Sequence, residues 1–238
     1  MKNVLEIIFS TKERSSSSFF VEKDCIYTFL NPVSYLDARK NEQLFGKFDG
    51  IFVDGSILIK AIKTLYEKKI KRRSFDMTSV APTLFNYSIE NNKSIYVVGS
   101  MEDEIQVTIG ILKNNYPKLE IIGYRSGYFD GQKDKEEEYD KIISANPDFL
   151  IVGMGILHQE RFLVEIKDRG YKGIGFTCGG FISQTAKGDN KIDYYPQWVD
   201  KYNVRFIYRM YKEKHTRKRY LKAAFIFPVL FVKDWIAK

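Results

Sequence analysis

Histidine and cysteine are almost missing from this chain, with two of each in 238 residues. His158 and His215 belong to no cluster with zinc-type spacing, so a structural or catalytic metal site is not expected. Cys25 and Cys178 form no CxxC pair, which excludes a disulfide framework and fits a reducing cytoplasm. There is no DxD metal clamp, since Asp49 and Asp54 lie five apart, and no P-loop or GxSxG spacing that would call for a nucleotide cofactor or a serine nucleophile. No cofactor is expected. The start MKNVLEIIFSTKER lacks a secretory signal because its apolar run is short and carries Glu6. No stretch reaches the roughly 18 to 20 apolar residues that span a bilayer. Charge of one sign is also missing from most of the chain. The net charge is +8, yet nearly all of the excess follows Lys201, and the first 200 residues hold almost equal numbers of basic and acidic groups.

Apolar material is plentiful. Hydrophobic residues make up 44 % of the chain, with 16 Tyr and 18 Phe, which excludes general disorder and supplies a sizeable core. A neutral body with a basic end points to a localised anionic partner rather than to general nucleic-acid binding.

Short runs rich in Ile, Val, Phe and Tyr predict strands at Cys25–Leu30, Gly50–Val53, Ser94–Gly99, Leu119–Gly123, Asp148–Gly153 and Gly173–Cys178. Amphipathic stretches predict helices at Val33–Glu42, Ser56–Glu67, Thr78–Glu90, Glu102–Asn115, Lys135–Ala145 and Gln159–Asp168. Strands alternating with helices of this length predict an α/β fold, a largely parallel Rossmann-like sheet flanked by helices, with its ligand at the carboxyl ends of the strands. Ser15–Ser18 reads as a surface loop. Residues 1–200 form the α/β domain and 201–238 a basic helical appendage. The appendage mixes seven Lys and Arg between Arg205 and Arg219 with Phe206, Ile207, Tyr208, Met210, Tyr211 and Tyr220. It ends in AAFIFPVLFV at 223–232, ten apolar residues that include Pro228, followed by Lys233 and Trp235. Such a segment is too short to span but can lie in a membrane interface. The competing reading is a last helix packed on the core with a solvated basic face, and the density of basic residues favours the membrane.

Asp54, in FDGIFVDGSIL at 48–58, follows a strand and precedes Gly55. Its carboxylate then stands where a general base meets an incoming hydroxyl, although an Asp here also serves as a helix N-cap. Gly99 in VVGS and Gly153 in IVGMG end strands that lead into helices, where backbone N–H groups can face phosphate. Glycine at such turns more often answers to geometry alone.

The order of segments resembles the WecG/TagA/CpsF glycosyltransferase family. It is carried by TFLNPVSYLDARK (28–40), FVDGSIL (52–58), KRRSFDM (71–77), SIYVVGS (94–100), YPKLEIIGYRSGYF (116–129), NPDFLIVGMGILHQERF (146–162), CGGF (178–181) and PQW (196–198). The resemblance implies an α/β fold with a basic appendage. It also implies inverting transfer of an N-acetylmannosamine-type or related sugar from a UDP-sugar to a polyprenyl-diphosphate-linked acceptor, with Asp54 as the base. It further implies substrate contacts at Thr28 and Asn31 of a TxNP-type motif, at Arg73 and Asp76 of an RxTGxD-like segment, and at Gln159 and Glu160 of a PxQE element. Arg209 and Arg219 match basic positions that face diphosphates, and Arg217 joins them as a candidate on charge. The sequence departs from the pattern at Ser74 and Phe75, Leu157, Ile182, Lys214 and Thr216, which leaves the donor sugar open.

The expectation is therefore a metal-independent enzyme of cell-surface polysaccharide synthesis. It would be cytoplasmic and peripheral on the inner face of the plasma membrane, with a UDP-sugar, a polyprenyl-diphosphate-linked sugar and an anionic membrane surface as partners and no nucleic acid. The alternative is a non-catalytic module that binds a nucleotide-sugar or an anionic lipid.

Overall fold

The computed structural model describes residues 3–11, 20–188, 194–196, 198–199 and 204–237. Ser15–Ser18, the 200/201 boundary, Gln197 and the side chain of His215 lie outside them.

Six strands form one sheet in which every pairing is parallel. They are β1 (Cys25–Leu30), β2 (Gly50–Val53), β3 (Ile95–Gly99), β4 (Ile121–Arg125), β5 (Phe149–Gly153) and β6 (Ile174–Thr177), in the order β2-β1-β6-β5-β3-β4. Burial explains the uninterrupted apolar runs: β2, β3 and β5 are buried at every position, as expected for a parallel sheet covered on both faces. The strands match the sequence reading closely. The largest slip is β4, which begins two residues late, at an edge where Ile122 and Tyr124 remain exposed.

The helices are α1 (Val4–Ser10), α2 (Pro32–Lys40), α3 (Glu42–Phe45), α4 (Ser56–Tyr66), α5 (Val80–Glu90), α6 (Glu102–Asn115), α7 (Gln132–Ala145), α8 (His158–Asp168) and α9 (Phe181–Ala186). The basic end adds α10 (Arg205–Lys212) and α11 (Arg217–Ile236), joined through a short 3-10 turn at Lys214–Thr216. Helices α5, α6 and α9 cover one face of the sheet and α1, α2, α4, α7 and α8 the other, giving two apolar cores. Helix α1 was not expected from sequence. Asn3 caps it in a reciprocal box with Glu6, and four apolar side chains anchor it. Just beyond it, the Thr11 hydroxyl accepts the Ile51 N–H of edge strand β2 at 2.9 Å, covering a free ladder position.

The basic end shares the body's core. Ala223, Phe227 and Phe231 of α11 are buried four residues apart, one face of a helix. Phe231 packs its ring 5.3 Å from that of Tyr35 on α2 and 5.7 Å from that of Tyr66 on α4. Asp234 fastens the far end: it accepts from the Tyr35 hydroxyl at 2.7 Å and pairs with Arg39 at 2.8 Å. A core-packed helix is thus part of the answer for the basic end. The opposite face of the same helix carries Leu221, Phe225, Val229, Val232 and Ile236, all exposed. Helix α11 is therefore apolar on two sides, one buried and one open. Among the described residues no helix is long and apolar enough to cross a membrane.

Candidate active site

A cavity of about 650 Å³ opens at the carboxyl ends of β1, β2 and β6 and is roofed by α10 and the first turns of α11. Each strand delivers one part of it. After β1, Asn31 caps α2: its Oδ1 accepts the N–H groups of Val33 at 2.9 Å and Ser34 at 3.1 Å, and Pro32 occupies the first turn, where a missing N–H costs nothing. After β6 come Cys178, Gly179 and Gly180, all on the wall. After β2 comes Asp54, whose backbone N–H is held by the Leu30 carbonyl at 2.7 Å.

The N-cap of α4 is Gly55, at φ 96°, and no side chain caps that helix. The carboxylate of Asp54 is therefore not spent on capping. It lines the cavity, and its charged neighbour is Arg72 at 3.2 Å. Burial pushes the Asp54 carboxyl above the ordinary range; Arg72 opposes this and the negative charge of Asp76 adds to it.

Asp76 behaves in the opposite way. Burial works against its charge, but Arg72, Arg205 and the hydroxyls of Ser74 and Thr78 together hold it down at about 2. One oxygen of Asp76 takes Arg72 at 2.6 Å and also pairs with Arg205 of α10. Arg205 donates in addition to Thr78 Oγ1 at 2.8 Å, and its guanidinium lies 4.6 Å from the ring centre of Tyr195. Arg209, one turn further along α10, also lines the cavity and is braced by Glu213 at 3.1 Å. Three guanidiniums and two carboxylates thus line the cavity. Its wall also carries apolar residues of α4, α10 and α11 that include Ile57, Phe206, Met210, Leu221 and Pro228.

Of the residues expected from sequence, the cavity gathers Asn31, Asp54, Asp76, Gln159 and Arg209. Thr28 and Glu160 lie behind the wall, both fully buried. Thr177 donates to Thr28 at 2.9 Å, and Thr28 donates to Glu160 at 3.0 Å. Glu160 also accepts from Gln159 at 2.9 Å, and Gln159 in turn accepts the Gly179 N–H at 3.1 Å. This chain of hydrogen bonds orients Gln159 and the glycine turn. Burial pushes the Glu160 carboxyl up against these donors.

Five of the expected residues take other places in the structure. Arg73 is off the cavity wall, with its guanidinium 6.0 Å from the Phe52 ring centre, and Arg72 takes the place on the wall. Arg72 donates to Ser74 at 2.5 Å and to Asp76 at 2.6 Å, so these three share one side. That two-residue spacing was the legible signal. Arg217 turns back to the Met210 carbonyl at 2.7 Å, and Arg219 reaches Asp37 at 3.1 Å; neither lines the cavity. Gly99 and Gly153 answer to packing. A Cβ on Gly99 would fall 2.3 Å from the Gly153 carbonyl oxygen, and one on Gly153 would fall 2.6 Å from Cys178 Sγ. Arg205, Tyr195 and Tyr220 were not singled out from sequence; for Arg205 the hint was its i,i+4 spacing from Arg209.

Comparison with known proteins agrees with this arrangement. Residues 10–238 match the model of the Glycosyl transferase WecG/TagA/CpsF family. A UDP-Gal:alpha-D-GlcNAc-diphosphoundecaprenol beta-1,4-galactosyltransferase from Shigella boydii is 35 % identical over 213 residues, 90 % of this chain and 88 % of the relative. An N-acetylglucosaminyldiphosphoundecaprenol N-acetyl-beta-D-mannosaminyltransferase from Bacillus subtilis strain 168 is 26 % identical over 58 % of this chain and 52 % of its own length. Its counterpart from Bacillus spizizenii is 25 % identical over 76 % and 68 %. A parallel sheet with a carboxylate and converging guanidiniums at its carboxyl edge, together with a family match across nearly the whole length, makes this chain a glycosyltransferase of the WecG/TagA/CpsF family.

Proposed function

We propose that the protein transfers a hexose, galactose in the first instance, from its UDP-sugar to N-acetylglucosaminyl-diphosphate-polyprenol, with inversion at the anomeric carbon. The observation that carries this is Asp54, a desolvated carboxylate free of helix capping on the wall of a cavity that Arg72, Arg205 and Arg209 also line. Desolvation makes Asp54 a stronger base than an ordinary aspartate, suited to taking the proton of the acceptor hydroxyl. The hydroxyl oxygen attacks the anomeric carbon as the bond to the UDP oxygen breaks, and the electron pair leaves on the diphosphate. Guanidiniums stabilise that developing charge more than the bound ground state, which is what lowers the barrier. The galactose assignment follows the relative that is 35 % identical over most of both chains, and the acceptor is common to the names of all three relatives.

The open apolar face of α11, with Trp235 beside it, rests on the inner face of the plasma membrane, and nearby basic residues meet anionic headgroups. The deciding experiment offers UDP-Gal, UDP-GlcNAc and UDP-ManNAc with a GlcNAc-diphosphate-lipid and weighs the product. A hexose-sized mass gain from UDP-Gal is expected. Tight UDP binding without transfer from any donor would favour a binding module instead.

A further inference from the structure

We infer that the apolar part of the cavity wall is a subsite for the first isoprene units of the acceptor, so that the enzyme reads the lipid directly and not only through the membrane. The inference rests on the reading above and goes beyond it, because an interfacial enzyme needs no lipid contact inside its active site.

The cavity wall has two characters. Arg72, Arg205 and Arg209 line it, and so do Ile57 on α4, Phe206 and Met210 on α10, and Leu221, Ala224 and Pro228 on α11. Three separate helices contribute, so the apolar wall is not the by-product of one amphipathic segment. Ile57, Phe206 and Leu221 remain exposed although they line a cavity.

An occupant that answers both kinds of wall carries an anionic part and a hydrocarbon part. A nucleotide-sugar has no hydrocarbon part, whereas a prenyl diphosphate has both. At about 650 Å³ the cavity cannot hold a sugar diphosphate and a long polyprenyl chain together, so the chain must leave it. Leu221 supplies the exit, being at once cavity wall and the first residue of the exposed stripe that continues through Phe225 and Val229. The hydrocarbon would pass from the subsite along α11 into the lipid without crossing water.

Only the units inside the cavity contribute this affinity. Burying hydrocarbon is worth about 0.8 kcal/mol per CH₂, and with partial burial this corresponds to about a tenfold fall in KM per isoprene. The gain should stop once the chain has left the cavity.

The test uses GlcNAc-diphosphate carrying one, two, three or four isoprene units, in solution below the aggregation threshold, with neither detergent nor vesicles. For the wild type, acceptor KM should fall about a hundredfold between one and three units and then level, while the KM for UDP-sugar stays constant. In Met210→Gln/Leu221→Gln the ratio of KM between one and three units should collapse to within about threefold. Ile57→Gln, on a different helix, should compress the same ratio and covers the case in which α11 does not tolerate the double change; melting curves verify that each variant is folded. A wild-type KM that ignores chain length in solution overturns the inference, and so do folded variants that keep the wild-type ratio. Transfer that proceeds with chain-length indifference leaves the enzyme assignment standing. Absence of transfer to every acceptor, including a long polyprenyl acceptor in vesicles, removes that assignment and this inference with it.

Discussion

Asp76→Asn is the most informative single change, because Asp76 ties the body of the protein to its basic end. Its carboxylate takes Arg72 from the body and Arg205 from α10. The ordinary value of 3.8 is lowered to about 2 in the fold. That difference of about 1.8 units corresponds to about 2.4 kcal/mol of stability at 1.36 kcal/mol per unit. The sign follows from the depressed value: the contribution is fully present above the unfolded value near pH 4 and is lost as pH falls toward 2. By linkage, about 1 kcal/mol of it is gone by pH 3 and about 2 kcal/mol by pH 2. The assay is urea unfolding of wild type and Asp76→Asn in parallel at pH 7, 5, 4 and 3. The stability gap between them should be largest at pH 7 and should shrink by about 1 kcal/mol at pH 3. Other carboxylates titrate in both proteins and cancel in the difference. At pH 7 the variant should also be cut more readily by trypsin within α10, since that helix has lost its link to Asp76. A gap that is flat from pH 7 to pH 3 would show that the Asp76 charge does not hold the two parts together.

Four further outcomes are expected. Asp54→Asn should lower kcat by about 100-fold or more and should be no less stable than wild type at pH 7, because a carboxyl raised by burial weakens the fold once ionised; wild-type turnover would remove Asp54 from the chemistry. In the wild type, kcat/KM should fall on the acidic side through a value above the ordinary aspartate range, and this limb should move when Arg72 is replaced by Lys. EDTA should leave most activity, given that the sequence has no DxD clamp; a complete loss restored by Mg²⁺ or Mn²⁺ would refute the purely guanidinium account. Phe231→Ala should cost about 3 to 5 kcal/mol in stability, whereas Phe225→Asn, on the opposite face of α11, should cost little but weaken binding to anionic vesicles. That binding should drop with added salt without vanishing, and a Phe225→Asn protein that binds vesicles normally would place the membrane contact elsewhere.

The parts of this protein readable in the sequence are those governed by neighbours along the chain. Alternating apolar strands and amphipathic helices specify a parallel sheet, because buried strands need continuous Ile, Val and Phe and crossovers need helices. Asp54-Gly55 announces a carboxylate at a strand end. Side-chain direction in irregular segments was harder to read. Arg72 and Arg73 differ in which side of the stretch they occupy, and Arg72 is held to its side by Asp76, four residues on. The glycines at 99 and 153 look like phosphate turns in sequence, yet the space around them is filled by a neighbouring strand and by Cys178 and Ile182. Arg217 and Arg219 carry the same charge as Arg205 and Arg209; what separates them is where two helices come to rest against the body. The end of the chain posed the sharpest choice, core helix or membrane helix. Tertiary packing divided it by face: Phe227 and Phe231 fill the space beside Tyr35, and Phe225 and Val229 are left outside, because a helix can bury only one side against a single surface.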